Sequence, residues 1–465
     1  MNGKTSSLYR SLSLSIPILF LVSGIAGAGG LSGVEAISPT AIQSAATTAP
    51  KASAPSGERS PNGSLAVTSH LDGEIQISLP TTPECDRYEP TVAYNWGHDE
   101  YLVAWHNTWP GGHRDIYARR VSASGQLLSW FSVSAGANDR AQPAVAYNAT
   151  TDEYLVVWMY NANGDGSTYE IWGRTIAWNG AYQNPEFQII TWPNRTFWTP
   201  RVAWNSFRNE YLVVWSALDA TTFLPTDVAH AILSDSGTKL YGAIITTAEQ
   251  PHQPDVTYNI AADEYLVVWR RMWAPADGDI KAARLGGFSG QVVNPPGVFT
   301  VNSVTEDQLL PAVATNQQHR YMVVWQHAFP GPCCDWDIRG QELDVNGGLV
   351  GSVFTIAATT DDETSPAIVA RPGPVRDYLA VWQRSTSTGE QIWAYHRRDD
   401  HIEVLQVADG AFWDHENPAA AWGRTGSLIV YEGDSQGDPT VYRHIYGRRW
   451  VPNAVFLPLV VRSYQ

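Results

Sequence analysis

Cysteine is nearly absent: Cys85, Cys333 and Cys334 are the three in 465 residues. That excludes a disulfide framework as the organising principle, and a chain of this length can build its core without one. Cys333 and Cys334 are adjacent, and a vicinal disulfide is strained, so free thiols and a pairing with Cys85 both stand open. Two adjacent thiols also fall short of the four spaced ligands of a structural zinc. Charge is scarce as well, at 16% of residues, and the basic side chains are outnumbered 30 to 46, for a formal charge of −16. Such a surface repels phosphate backbones and anionic lipid, which argues against nucleic acid as a partner and for cations or basic groups. There is no Gly-x-Ser-x-Gly elbow, no His-Glu-x-x-His pair and no Gly-rich phosphate loop. Beyond the N-terminus, no apolar run is long enough to cross a bilayer.

What is plentiful is aromatic: 20 Trp and 21 Tyr. That is a composition for burying large flat rings, not for disorder. The first 28 residues carry a basic start (Lys4, Arg10), an apolar run through Ile16–Val22 and the small residues Ala26-Gly27-Ala28. This predicts a signal peptide over 1–28, with an uncleaved anchor as the alternative. Residues 29–72 are rich in Ala, Ser, Thr, Gly and Pro without a period, and read as a flexible linker.

From there one phrase recurs. A proline opens a short apolar strand, a polar turn follows, and then a run such as Tyr-Leu-Val-Val-Trp. The prolines are Pro90, Pro143, Pro200, Pro254, Pro311, Pro366 and Pro418, spaced by 53, 57, 54, 57, 55 and 52 residues. The matching aromatics are Trp105, Trp158, Trp215, Trp269, Trp325, Trp382 and Tyr431. A fixed period of this size marks a repeat architecture. Each copy holds four strand signals and no helix signal, as in Thr91–Tyr94, Tyr101–Trp105, Asp115–Val121 and Trp130–Val133. The fold class is therefore all-β: a seven-bladed β-propeller of four-stranded antiparallel blades over 73–450. The last copy lacks a fourth strand, and Glu74–Leu79 is the spare one. An N-terminal strand completing the last blade closes the ring and leaves no open edge. Residues 451–465 form an apolar tail.

The repeated Trp has a structural reading, filling the space between neighbouring blades. The Asn after the first strand (Asn95, Asn148, Asn205, Asn259, Asn316) reads as a turn former. Candidate sites are sought on the face that carries the loops between blades. Four residues before the prolines stand Asp86, Asp139, Asp307, Asp362 and Asp414, with Thr196 and Gln250 in the other two copies. As a ligand-binding rim these acids attract a cation or a basic ligand; as scaffold they accept hydrogen bonds from turn amides, and repetition favours scaffold. One loop breaks the symmetry: Asn161, Asn163 and Asp165 place oxygens at alternate positions before a glycine, the spacing of a calcium loop. The bidentate Glu such a loop wants at its twelfth position is replaced by Trp172. No other cofactor is expected. The inner strands, read from motifs such as Val-Ala-Tyr, offer no facing pair of acids for glycoside hydrolysis, and no catalytic residue is assigned.

Tyr-Leu-Val-Val-Trp followed by Asp-Ile-Tyr-Ala-Arg-Arg-Val-Ser-Ala-Ser-Gly (Asp115–Gly125) resembles the repeats of exported bacterial propeller proteins, loosely grouped with TolB-like and WD40-like propellers. The likeness covers about 73–450. It departs from true WD40 repeats in lacking their Gly-His and Trp-Asp marks, from kelch in lacking the Gly-Gly pair, and from sialidase-type propellers in lacking their Asp box. It implies a fold and carries over no catalytic residue. The tail Phe456–Arg462 is similar to short tails of exported bacterial proteins. The expected function is a secreted or envelope-associated, monomeric scaffold that binds a protein, peptide or glycan. The alternative is a carbohydrate-active hydrolase or lyase working through the acidic rim.

Overall fold

The computed structural model describes residues 70–452 apart from 82, 165, 248, 275–276, 330–334, 411–412 and 436–441. Cys333, Cys334, the signal-peptide and linker segments up to residue 69 and the tail from residue 453 lie outside the described residues. Cys85 is a buried free thiol.

Seven antiparallel sheets follow one another along the chain, six of four strands and a seventh assembled from both chain ends. The fold is a seven-bladed β-propeller, as the repeat predicts. In the first blade the strands are Asp86–Asn95, Glu100–Thr108, Arg114–Ser122 and Leu127–Ser134, ordered from the axis outward.

The second strands are apolar on both faces because each is clamped between two neighbours. In the second blade Leu155 and Val157 share a cluster with Tyr211, Val213 and Trp215 of the third. Alternate residues of the same strand, Tyr154, Val156 and Trp158, pack with Leu102 and Ala104 of the first. The period of two along a strand sends each set to one side. All seven repeated aromatics are buried, including Trp158 and Trp325 with no exposure at all. They are cement between blades, as the sequence reading holds.

Closure also follows the expectation, with one difference in detail. The completing strand is two short pieces, His70–Leu71 and Ile75–Gln76, both paired with His444–Val451. Asp72-Gly73 interrupts the ladder, a pair disfavoured in strands. Beyond the second piece the Ile77 amide still donates to the Ile445 carbonyl at 2.7 Å.

The prolines do not start the inner strands. Those strands begin two to five residues earlier and pass through a bulge whose register slips between Tyr88 and Thr91, Ala141 and Ala144, and their counterparts. The residue before every proline is left-handed: Glu89, Gln142, Thr199, Gln253, Leu310, Ser365 and Asn417 have φ between 49° and 55°. None is glycine, so the geometry is unfavourable in isolation and must be held from outside.

It is held by a ring of hydrogen bonds, one across each blade junction. Glu432 accepts the Glu89 amide at 2.7 Å, Glu89 accepts that of Gln142 at 3.1 Å, and Gln142 that of Thr199 at 3.0 Å. Ser216 accepts from Gln253 at 3.0 Å and Gln253 from Leu310 at 3.1 Å. Gln326 accepts from Ser365 and Gln383 from Asn417, both at 3.4 Å. Each bulge exposes one backbone amide that the sheet cannot pair, and the adjacent blade supplies the acceptor.

Candidate functional site

The five rim acids are dispersed, one per blade, and each is turned toward the blade before it. Asp86 accepts the Arg443 amide at 2.9 Å, Asp362 that of Trp336 at 3.2 Å, and Asp414 that of Glu390 at 3.3 Å. Thr196 does the same for Tyr169 at 2.9 Å. These amides lie where third strands begin, so the repeated side chain ties one blade's inner strand to its neighbour. Asp139 takes the Arg114 guanidinium through Nε at 2.8 Å and through a second contact from Nη2, and accepts the Tyr169 hydroxyl at 2.8 Å. Burial pushes its carboxyl up, but the bonds and charge of Arg114 outweigh that and hold it below the usual carboxylate range. Asp307 is paired with Arg270 at 2.6 Å, and Arg270 also meets His252 at 3.1 Å. Four of the acids lie within the inner strands or at their starts, and Asp307 stands just before its strand.

One denser group sits at the closing junction. Arg443 reaches Glu416 and Glu432 at 2.7 Å each and Asp434 at 2.9 Å. Its guanidinium lies 5.2 Å from the centre of the Tyr88 ring. Burial, reinforced by the charges of Glu432 and Glu390 and opposed by Arg443, pushes Glu416 up to about 7.

In the calcium-loop candidate, Asn161 donates to the Thr168 carbonyl at 2.8 Å, which closes the loop on itself. Asn163 lies in the turn beside it, and Asp165 is outside the described residues. Among the described residues no group of three or more His, Cys, Asp or Glu is gathered in a way that would hold a metal ion.

A cavity lies toward the other end of the axis, where first strands turn into second strands. It measures about 540 Å³ and takes lining residues from all seven blades. Six of them are aromatic: Tyr94, Trp96, Tyr147, Trp204, Tyr258 and Trp422. The turn that follows each first strand fixes these rings. Asn95, Asn148 and Asn205 are fully buried and cap turn amides, as in Asn205 accepting from Phe207 at 3.0 Å and Arg208 at 2.9 Å. Within the same turns Tyr147 donates to Asp152 at 2.9 Å, Tyr258 to Asp263 at 3.0 Å and Trp204 to Asn209 at 3.4 Å. Tyr94 donates to Asp99 in the same way. Asp99, Asp152, Asn209 and Asp263 are all left-handed, with φ from 49° to 58°, a conformation that short polar side chains tolerate.

No acid, base, imidazole or thiol lines this well among the described residues. One residue further in along the strands, the ring of seven equivalent positions reads Thr91, Ala144, Arg201, Asp255, Ala312, Ala367 and Ala419. Two adjacent blades carry charge there and five carry small side chains. Arg201 Nε stands 3.9 Å from Asp255 Oδ1, with the side chains 45% and 22% exposed. Asp255 Oδ2 accepts the Val313 amide at 2.8 Å, and Arg201 donates to the Pro200 carbonyl at 3.0 Å. Burial raises the Asp255 carboxyl, against the pull of Arg201. Neither charge recurs from blade to blade, so the period of the repeat does not reveal the pair. The signal is present in the sequence: at the position after the proline, two of the seven copies are charged.

No family model and no curated protein matches this chain. Among solved structures it is similar to the β-propeller domain of the trilobed protease from Pyrococcus furiosus, at 10% identity over 78% of this chain and 95% of that one, with a TM-score of 0.46. A protein of unknown function from Dyadobacter fermentans is similar at 10% identity over 83% and 99%, TM-score 0.47. The polysaccharide lyase Uly1 is similar at 9% identity over 83% and 100%, TM-score 0.48. At this distance the likeness carries nothing about chemistry.

Proposed function

We propose that this chain is an exported, non-catalytic binding propeller whose ligand seats in the axial well. One observation supports this above others: among the described residues the cavity is lined by six aromatic side chains and no acid, imidazole or thiol, and Asp255, one residue further in, accepts the Val313 amide and faces Arg201. A hydrolytic site needs paired groups that give and take protons beside the bond. A recognition site needs apolar walls with a few placed polar groups, and 540 Å³ is an ordinary size for one. The acids of the opposite end are engaged by guanidinium groups and backbone amides, which suits scaffold better than catalysis. Export is supported by the basic, apolar and small-residue order of the first 28 residues, and the envelope or extracellular space is the proposed location. The partner classes are a glycan, a peptide or a protein segment.

A hydrolase or lyase reading has one observation in its favour. Glu416, pushed up to about 7, has the acidity of a general acid. Both its oxygens face Arg443, however, at 2.7 and 3.5 Å. The test is a panel of envelope and plant polysaccharides incubated with the purified protein, scored for binding by affinity electrophoresis and for cleavage by released reducing ends or unsaturated products. Retardation without product is the expected outcome. Product from any substrate would overturn the non-catalytic reading.

A further inference from the structure

We propose that the axial well takes the end of a neutral oligosaccharide, with the Arg201–Asp255 pair meeting sugar hydroxyls at its floor and the mouth aromatics stacking on the ring. This rests on the reading that the well is the binding site, and names the ligand class.

The placement comes from the strands. Val92, Val313, Ile368 and Ala420 line the deep end of the well, at the level of Val202 and Val256 in the charged blades. Arg201 and Asp255 are one residue further in, a step of about 3.4 Å along a strand. The five other blades leave room at that level with Ala or Thr. The wall of the well is thus mostly apolar and aromatic, with Ser206, Thr257, Thr315 and Gln317 as its polar members, and the charged pair lies one strand step beneath it.

That combination narrows the ligand by charge. An anion would gain Arg201 but meet Asp255 3.9 Å from it, in a chain of formal charge −16. A cation would meet the guanidinium. A wholly apolar ligand would strip water from the ion pair and give back no hydrogen bond, a cost that grows with burial. A neutral molecule with apolar faces and hydroxyl edges satisfies both parts. Its hydroxyls donate to Asp255 and accept from Arg201, and charged partners make these the stronger kind of hydrogen bond. Its C–H faces lie on the partly exposed rings of Trp96 and Trp204, the second held by its bond to Asn209. Trp96, 39% exposed at the mouth, extends the stack outward.

Isothermal titration of the full chain decides it, using chitotriose, cellotriose and mannotriose as neutral probes, trigalacturonate as the anion and trilysine as the cation. At least one neutral trisaccharide binds, and neither charged probe binds more tightly. Asp255→Asn and Arg201→Met each weaken that trisaccharide tenfold or more. Trp96→Ala, at an exposed position that does not threaten folding, weakens it severalfold. Melting temperatures taken on the same samples show that the variants are folded. The proposal is overturned if trigalacturonate or trilysine is preferred, if no neutral trisaccharide binds, or if the bound one keeps its affinity in the floor and mouth variants. In that last case the protein remains a glycan binder elsewhere on its surface. Release of shorter sugars would instead remove the non-catalytic reading and leave the well intact.

Discussion

Glu432, in the last blade, accepts the backbone amide of Glu89, in the first, at 2.7 Å, and with its other oxygen holds Arg443 at the same distance. The ring is thus closed at its axis by a side chain as well as at its rim by the N-terminal strand. Glu432 has no exposure, so its charge depends on Arg443 for compensation. Glu432→Ala leaves Arg443 with fewer counter-charges and the left-handed Glu89 without its external tie. Removing one member of a buried ion pair costs about 3 kcal/mol. Urea unfolding is expected to register a loss of that order. Glu432→Gln, which still accepts the amide, is expected to lose distinctly less.

Glu416 gives a pH signature. Its acidity in the folded chain lies at about 7, against an ordinary value of 4.5. A carboxyl with a raised folded value favours folding below the unfolded value and loses that contribution as pH climbs toward the folded one. Stability is therefore expected to fall between about pH 4.5 and 7 by no more than about 3 kcal/mol from this group. His252, whose value burial lowers to about 3, acts in the opposite sense: its contribution is present above pH 6.5 and is lost as pH falls. The comparison that isolates Glu416 is Glu416→Gln. Its stability relative to the parent is expected to rise across that window, and a pH-independent difference would contradict the assignment.

The period of the repeat was enough to read the fold, because seven copies of a buried strand leave one economical way to cover both faces of each sheet. Blade closure was legible for the same reason: one copy lacked a strand and one spare strand preceded the first copy. The prolines misled about strand starts, since a proline ordinarily ends a ladder, whereas here Pro90 and its counterparts follow a bulge. The side-chain ring was not legible. Its acceptors come from different strands in different blades, Gln142 from a first strand and Gln383 from a second, so no single column of the repeat displays them. Arg201 and Asp255 were legible in principle, as the charged exceptions in a small-residue column.

The bulge predicts an inverted substitution rule at Leu310. This residue lies in a strand, Gln308–Thr315, where Val would ordinarily serve better than Asn. Its φ is 49°, a region that penalises β-branched side chains and that Asn tolerates. Leu310→Asn is expected to be more stable than Leu310→Val by about 1 kcal/mol, read as the difference in thermal midpoints. Equal or reversed stabilities would mean that the left-handed turn before Pro311 is absent in solution.

Closure at the rim is testable at Ile77. In the segment before the first blade the paired strand is two short pieces, His70–Leu71 and Ile75–Gln76. Ile77 nevertheless has no exposure and packs with Tyr94, Trp105 and Val121 of the first blade and with Leu428, Val430 and Ile445 of the last. Its carbonyl accepts from Arg119 at 2.9 Å, so the residue is bound into both blades at once. Ile77→Ala removes apolar volume from that junction and is expected to cost about 2–5 kcal/mol, with Ile77→Val costing about 1 kcal/mol. Gln76, one residue earlier and exposed, supplies the control, because Gln76→Ala removes one exposed hydrogen bond to His444 at 3.1 Å and no buried volume, and is expected to stay within about 0.5 kcal/mol. If Ile77→Ala and Gln76→Ala prove equally mild, the N-terminal segment is a surface strap and the last blade stands on three strands.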